Sequence, residues 1–239
     1  MTLAMYSVLG VAVLVAAFVQ GSVGVGFALI VAPVFGLLAP SLLPVSLLIL
    51  MVPLNVYLSW RERPSVDSNG AFWITVGRTV GAVGGIWVLS SISPHELNLL
   101  IGASTILAAA VTLCAPSFAP GRNAFMVAGA VTGVTETATG IGGPALAMVF
   151  QHYRAPALRS TIALCFAVGE IVSLGMLCFT GRIHGEAILP AFAFAPAVVA
   201  GAWASRLAHR RVDGPALRVA VMAFAIVSGA LILFQTLYH

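Results

Sequence analysis

Long apolar runs separated by short polar breaks dominate this chain. The apolar stretches cover approximately 3–38, 42–59, 71–92, 97–115, 124–150, 158–180, 187–205 and 215–237. A bilayer core takes roughly 20 helical residues, so six stretches predict one crossing each. The first and fifth differ. The first is too long for one ordinary crossing, and both carry glycine-rich sequence: Gly21-Ser-Val-Gly24-Val-Gly26 and Thr137-Ala-Thr139-Gly140-Ile-Gly142-Gly143-Pro144. Irregular backbone in hydrocarbon frees N–H and C=O groups that lipid cannot satisfy, so it is tolerated only where it lines a cavity or is buried in protein. Two such breaks at matching places in a chain point to a transporter's substrate site.

The two halves repeat. Gly24 and Gly26 align with Gly140 and Gly142, Pro40 with Pro156, and, after a small shift, Gly81-Ala82 with Gly201-Ala202. Leu97, Ile106 and Leu113 then meet Leu217, Ile226 and Leu233. This predicts an all-α polytopic membrane protein of two repeats, residues 1–118 and 119–239. Each repeat is a broken or re-entrant glycine-tipped helix plus three transmembrane helices.

Arginine positions bear on the topology. If every stretch crosses once, six arginines face one side and four the other, a weak bias. If the fifth stretch is a hairpin tipped at Thr137–Gly143, all later loops change sides. One face then holds Arg61, Arg63, Arg122, Arg154, Arg159, Arg206, Arg210, Arg211 and Arg218, and the other only Arg182. That split is what a cytoplasmic and an outer face should show. The hairpin arms, Ala124–Thr135 and Gly143–Phe150, would be roughly 18 Å and 12 Å long at 1.5 Å per residue and reach mid-bilayer. An odd number of crossings per half makes the repeats inverted. Two kinked full crossings are the alternative.

Composition narrows the class. Hydrophobic residues make up 60% of the chain and charged residues 8%, against roughly 25% charged in soluble domains. The net charge of +4 comes entirely from arginine and reads as an orientation signal rather than a nucleic-acid surface. Met1 to Trp60 contains no Lys or Arg, so a cationic leader is missing and the first stretch is expected to be retained. Cys114, Cys165 and Cys178 have no paired spacing and read as packing residues. His95, His152, His184, His209 and His239 lie in loops or at a terminus, none at helical i, i+4 spacing, so no metal is expected. No P-loop is present, and no cofactor is expected.

At its glycine motifs the chain resembles the TauE/SafE family of sulfite exporters. The likeness is carried by Gly24-Val-Gly26, by Gly140-Ile-Gly142-Gly143-Pro144, and by Arg154-Ala-Pro156-Ala-Leu-Arg159-Ser160-Thr161 leading into the next span. Gly81, Gly84 and Gly201 resemble the family's small-residue packing positions. The resemblance implies export of a small sulfur-containing anion, sulfite or an organosulfonate, across a bacterial inner membrane. Phe27 stands where the family often has another glycine. Glu136 and Glu170 stand where neutral polar residues are expected.

The residues themselves suggest how an anion is held. A helix N-terminus offers unpaired N–H groups and partial positive charge, and glycine lets a small anion approach them. Gly24, Gly26, Gly140, Gly142 and Gly143 are therefore candidate binding positions, with Gln20, Ser22, Thr135, Thr137 and Thr139 as side-chain donors. Close helix packing is the competing use of the same glycines. Glu136 and Glu170 are ionisable groups within apolar stretches, where function is the default suspicion. Proton coupling and a hydrogen-bonded neutral acid are the two readings. Arg78 complements substrate charge, pairs with a glutamate or snorkels to the surface; Arg159 attracts anions at a mouth or orients the chain. The leading function is a secondary transporter, with proton coupling an open question, acting as a monomer or homodimer in the lipid bilayer. A passive anion channel is the alternative. An intramembrane enzyme lacks its parts, since no His or Asp lies within a span.

Single-cysteine labelling in a cysteine-free background tests the topology. Residues 119 and 154 should label from the same side of the membrane. Labelling from opposite sides would mean that the fifth stretch crosses.

Overall fold

The computed structural model describes residues 3–114, 120–151, 153–183, 185–208 and 214–238. His152, His184, His209, His239, Arg210 and Arg211 lie outside them. Among the described residues there are ten α-helices and no strands. They are α1 Leu3–Val23, α2 Phe27–Leu38, α3 Val45–Arg61, α4 Ser68–Ser91, α5 Pro94–Cys114, α6 Arg122–Thr139, α7 Gly143–Val149, α8 Ala155–Phe179, α9 Gly185–Ala208 and α10 Gly214–Tyr238. Five of them, α1, α4, α8, α9 and α10, are long and apolar enough to cross a membrane.

Both glycine-rich stretches fold back on themselves. After α6 the chain reverses at Gly140–Gly142, and Thr132 Oγ1 donates to the Gly142 carbonyl at 3.2 Å. Phe150, just past α7, stacks on Phe125 in the first turn of α6 with centroids 5.5 Å apart. The start of α1 and the end of α2 likewise meet, because Tyr6 and Phe35 both lie against the Phe194 ring, at 5.8 and 5.9 Å. In the fifth stretch the first arm is longer than the sequence suggested and the second, the 7 residues of α7, slightly shorter. α6 runs to Thr139, and its 18 residues span about 27 Å at 1.5 Å per residue. That is most of the hydrocarbon thickness rather than half of it. Thr135 and Thr139 do not break the helix, since each hydroxyl donates to the carbonyl four residues back, at 3.0 and 2.7 Å. Gly140 ends it: at φ 80° its N–H donates to the Glu136 carbonyl at 2.7 Å, a left-handed cap that glycine adopts without strain.

Glycine also sets the closest helix contact. α4 lies along α6 at backbone distance. A Cβ at Gly77 or Gly81 would meet the carbonyl oxygens of Met126 and Ala130, and one at Gly129 or Gly133 those of Ile74 and Arg78. The same arrangement joins α9 to α1, where Gly201 faces the Leu14 carbonyl. This close approach is how small residues bring helices together where lipid gives no hydrophobic drive. Gly84 is peripheral, touching only Val134 Cγ2 at 3.2 Å, while Gly85 faces the Val134 carbonyl at 2.7 Å. α3 and α8 pack antiparallel: Val45 at the start of α3 shares a cluster with Leu177 near the end of α8, and Glu62 just past α3 pairs with Arg159 early in α8. Ser46 donates to the Ala187 carbonyl in the first turn of α9 at 2.5 Å. α5 and α10 pack antiparallel through Gly102 and Gly229.

Arginine gathers at one end of the bundle. Arg61 donates to the Gly21 carbonyl at 2.9 Å, and Arg61, Arg63 and Arg206 line one cleft there. Arg122 covers the Trp73 ring at 3.7 Å, and Arg154 caps the start of α8. Asp67 caps α4, accepting from the N–H groups of Asn69 and Gly70, each at 3.1 Å. The Asp67 N–H donates to Thr161 Oγ1 at 2.9 Å, and the Tyr153 hydroxyl donates to its carboxylate at 2.7 Å. Burial and this hydrogen bond push the Tyr153 phenol up to about 12, so it stays a donor at any neutral pH. Arg182 lies at the opposite end, donating to the Leu89 carbonyl at 3.0 Å.

Thermal unfolding in detergent should separate two kinds of glycine. Gly133→Ala drives a methyl into α4 backbone and should cost roughly 1–3 kcal/mol. Gly175→Ala meets nothing within 4 Å and should be neutral or stabilising by up to about 1 kcal/mol. Equal melting temperatures for the two variants would contradict the packing described.

Candidate functional site

The two breaks meet inside the bundle. A Cβ at Gly143, where α7 begins, would lie 3.9 Å from Val25 Cβ, between α1 and α2. Gly24 and Gly26 have φ values of 97° and 129°, conformations that L side chains rarely adopt. Gly24 packs on Arg159 and Leu158, and Gly140 on Leu47. Gly142 packs on Thr132 and Glu136, its own hairpin arm. Gly24, Gly26, Gly140 and Gly142 are buried and Gly143 is half-buried.

The side-chain donors are mostly engaged elsewhere. Ser22 bonds the Phe18 carbonyl at 2.8 Å. Thr137 shares a 2.7 Å hydrogen bond with Ser173. Thr139 bonds the Thr135 carbonyl and accepts from the Ile141 N–H at 3.2 Å. Gln20 does something the sequence did not suggest. Its Oε1 accepts from the Phe27 N–H at 3.1 Å, capping α2 across the break. Its Nε2 donates to Asn55 Oδ1 at 3.1 Å.

From Asn55 the polar chain continues into the protein. Asn55 Nδ2 donates to Glu170 Oε1 at 2.8 Å. Beside Glu170 lies Arg78, only 2% exposed. Its guanidinium is in direct contact with the Glu136 carboxylate, donates to the Cys165 carbonyl at 2.9 Å and stacks over Phe166 at 5.3 Å. Arg78 therefore neither snorkels nor reaches a surface; it pairs with a glutamate. A buried charge of this kind needs support beyond its counter-ion, and here the Cys165 carbonyl and the Phe166 ring supply it. Gly169 makes the room, since any Cβ there would overlap the guanidinium. Arg159 is spent differently: its Nη2 holds Glu62 Oε1 at 2.7 Å and its Nε contacts both carboxylate oxygens.

Asn55, Ser173, Gly169 and the Cys165 carbonyl belong to this site and escaped the sequence reading. Asn55 carried a signal, being a polar amide inside the apolar stretch 42–59. Gly169 and the carbonyl carried none, because their roles exist only once α4 is docked on α8. Glu136 sits one turn before the Gly140 cap, so the charge cluster and the second break share one helix end. An apolar cleft of about 390 Å³ between α5, α6 and α7 reaches Ile141 and Gly142 from the other side. Its walls suit hydrocarbon rather than an anion.

Replacing Arg78 with Met leaves Glu136 without its counter-charge. Arg78→Met should destabilise the protein by about 3 kcal/mol. Arg78→Met with Glu136→Gln should recover most of that loss in the same thermal-unfolding assay. No recovery in the double variant would mean that the pair is not what holds the two groups in place.

The comparisons agree with this architecture. No curated protein and no solved structure matched the chain. A family model described as "Sulfite exporter TauE/SafE" matches residues 9–232, which takes in both breaks, the buried charge cluster, all of α2 to α9 and most of α1 and α10. The chain belongs to the sulfite exporter TauE/SafE family.

Proposed function

We propose that this protein is a secondary transporter that exports a small sulfur-containing anion, sulfite or an organosulfonate, past the two facing glycine breaks. Family membership supports the anion class. The observation that carries the reading is the junction itself: two irregular segments from opposite halves approach so closely that a methyl at Gly143 would reach Val25, and the Glu136–Arg78 pair lies beside Gly142. Backbone that leaves regular structure at that depth has a use when it lines a path. Gly24, Gly26, Gly140, Gly142 and Gly143 supply close backbone approach. Gln20, already on the Phe27 N–H, is the side chain that an arriving oxyanion displaces. Ser22, Thr137 and Thr139 shape the walls.

The transport cycle rests on two inverted halves, 1–118 and 119–239. Three pairings support that arrangement. α4 packs on α6 as α9 packs on α1, so each half lays one helix on the other's hairpin. α3 runs antiparallel to α8, and α5 to α10, as helices related by an in-plane two-fold axis must. The arginine-rich end of the bundle is the cytoplasmic face by the positive-inside rule, and the membrane is the bacterial inner membrane. Rocking of one half against the other exposes the junction to each side in turn.

Flux into liposomes tests this. Gly26→Val and Gly142→Val are poor probes, because a Cβ at either position clashes, at 2.8 Å with Val19 and at 2.7 Å with Thr132. Gly143→Ala has room for its methyl yet narrows the gap between the breaks. It should leave the melting temperature unchanged and cut sulfite flux by about tenfold, equivalent to about 1.4 kcal/mol in the barrier. Wild-type flux in this variant would remove the junction from the path. A carrier should also show counterflow of labelled sulfite against unlabelled sulfite; flux without counterflow would favour a channel.

A further inference from the structure

The centre of the bundle holds two acids and one base. Glu136 and Glu170 are fully buried and Arg78 is 2% exposed. The other arginines whose side chains are described, Arg61, Arg63, Arg122, Arg154, Arg159, Arg182 and Arg206, belong to the ends of the bundle. With both carboxylates ionised the cluster carries an uncompensated negative charge in an apolar interior, which is strongly unfavourable. One proton restores neutrality. We infer that Glu170 is a proton-binding site, occupied in this state, and that Glu136 and Glu170 compete for the single guanidinium of Arg78.

Geometry assigns the proton to Glu170 rather than Glu136. Glu136 is the acid in direct contact with Arg78, so it is the carboxylate of the ion pair. Glu170 Oε1 accepts from Asn55, as the carbonyl oxygen of a neutral acid does. Neither the Glu136 oxygens nor Glu170 Oε2 has a hydrogen-bond partner among the described residues; the Arg78 contact is what sets Glu136 apart, and with Oε1 of Glu170 accepting from Asn55, Oε2 is left to carry the proton. Among the described residues the surroundings supply no other counter-charge; α1, also packed on α8, adds only Tyr6, which lies against Phe194. α4 contributes Arg78, and α6 contributes Glu136. α8 itself adds the thiol of Cys165 and, at its start, Arg159, which is held by Glu62. α3 adds Tyr57, which lies under the Arg61 guanidinium at 5.8 Å toward the arginine-rich end, and α7 has no ionisable residue.

Asn55 and Gln20 are positioning residues for this proton. Each amide has one orientation that satisfies both neighbours: Phe27 N–H to Gln20 Oε1, Gln20 Nε2 to Asn55 Oδ1, Asn55 Nδ2 to Glu170 Oε1. The chain thus runs in one direction from the first N–H of α2 to the acid. When Glu170 releases its proton to solvent it becomes a second carboxylate facing Arg78. The guanidinium, lodged against Gly169 on the same helix, is then shared or drawn away from Glu136, one turn before the second break. Use of this step in transport rests on the function proposed above; the proton site itself does not.

Infrared spectroscopy of the full-length protein in lipid at neutral pH tests the site without any substrate, so its outcome is independent of the flux assays. The wild type should show the carbonyl-stretch band of a protonated carboxylic acid. Glu170→Gln should abolish it. Glu136→Gln should also abolish it, because Arg78 and an ionised Glu170 then balance. Asn55→Leu should keep the band and move it to higher frequency, since the carbonyl oxygen loses its donor. Asn55→Ala gives the same comparison if the leucine variant does not purify. A wild type without the band, a band that survives Glu170→Gln or Glu136→Gln, or a band that Asn55 substitution leaves at its wild-type frequency would overturn the assignment.

Discussion

Arg78 must be neutralised far from water, and much of the interior is arranged around that requirement. The guanidinium contacts Glu136 on α6, the Cys165 carbonyl and Phe166 ring on α8, and the space left by Gly169. Three helices from different parts of the chain are thereby fixed to one side chain. The close α4–α6 contact follows from the same constraint. Gly133 lies against the Arg78 backbone and Gly129 against Ile74 one turn earlier, and a side chain at either would push α6, and Glu136 with it, away from α4. Apolar packing alone would hold such helices together loosely, since lipid competes for the same contacts. The ion pair and the glycine contact specify one register.

The second organising feature is the treatment of broken backbone. Each hairpin turns within the bundle, and each turn finds partners in protein. Gly140 hands its N–H to Glu136 and Ile141 hands its N–H to Thr139. On the other side the Phe27 N–H goes to Gln20 and the Gly21 carbonyl receives Arg61. The two breaks are not chemically equivalent, although the halves carry similar glycine patterns. The first is capped by a side chain that is itself wired to Glu170. The second is capped by backbone next to Glu136. The acids reach the two breaks by different means, Glu170 through a relay of amides and Glu136 along a single helix turn.

The apolar pattern of the sequence determined the helices, and the glycine clusters determined where two of them turn back. These are local properties: a left-handed residue after Thr139, or a φ that only glycine accepts at Gly24 and Gly26, acts within a few residues. The arginine distribution also foretold which ends of the helices gather together, because orientation in a membrane is set by the charge of each loop. The length of α6 was misjudged because its threonines, next to the glycines, read as donors at the hairpin tip rather than as helix. In apolar surroundings their hydroxyls bond the preceding turn and let the helix continue.

Tertiary structure alone decided what the buried polar residues do. Glu136, Glu170 and Arg78 each had several readings in the sequence, and nothing in their spacing said that the three converge. Ser22, Thr137 and Thr139 read as donors, yet their hydroxyls are spent on nearby carbonyls or on Ser173. Gln20 became a helix cap, and Asn55 the link between two helices. Gly169 became the recess for a guanidinium. Such roles depend on distances between residues far apart in the chain, which arise when α4 docks on α6 and α8. Local propensity carries no information about them, because the energy of a buried charge is fixed by its partners and not by its neighbours in sequence.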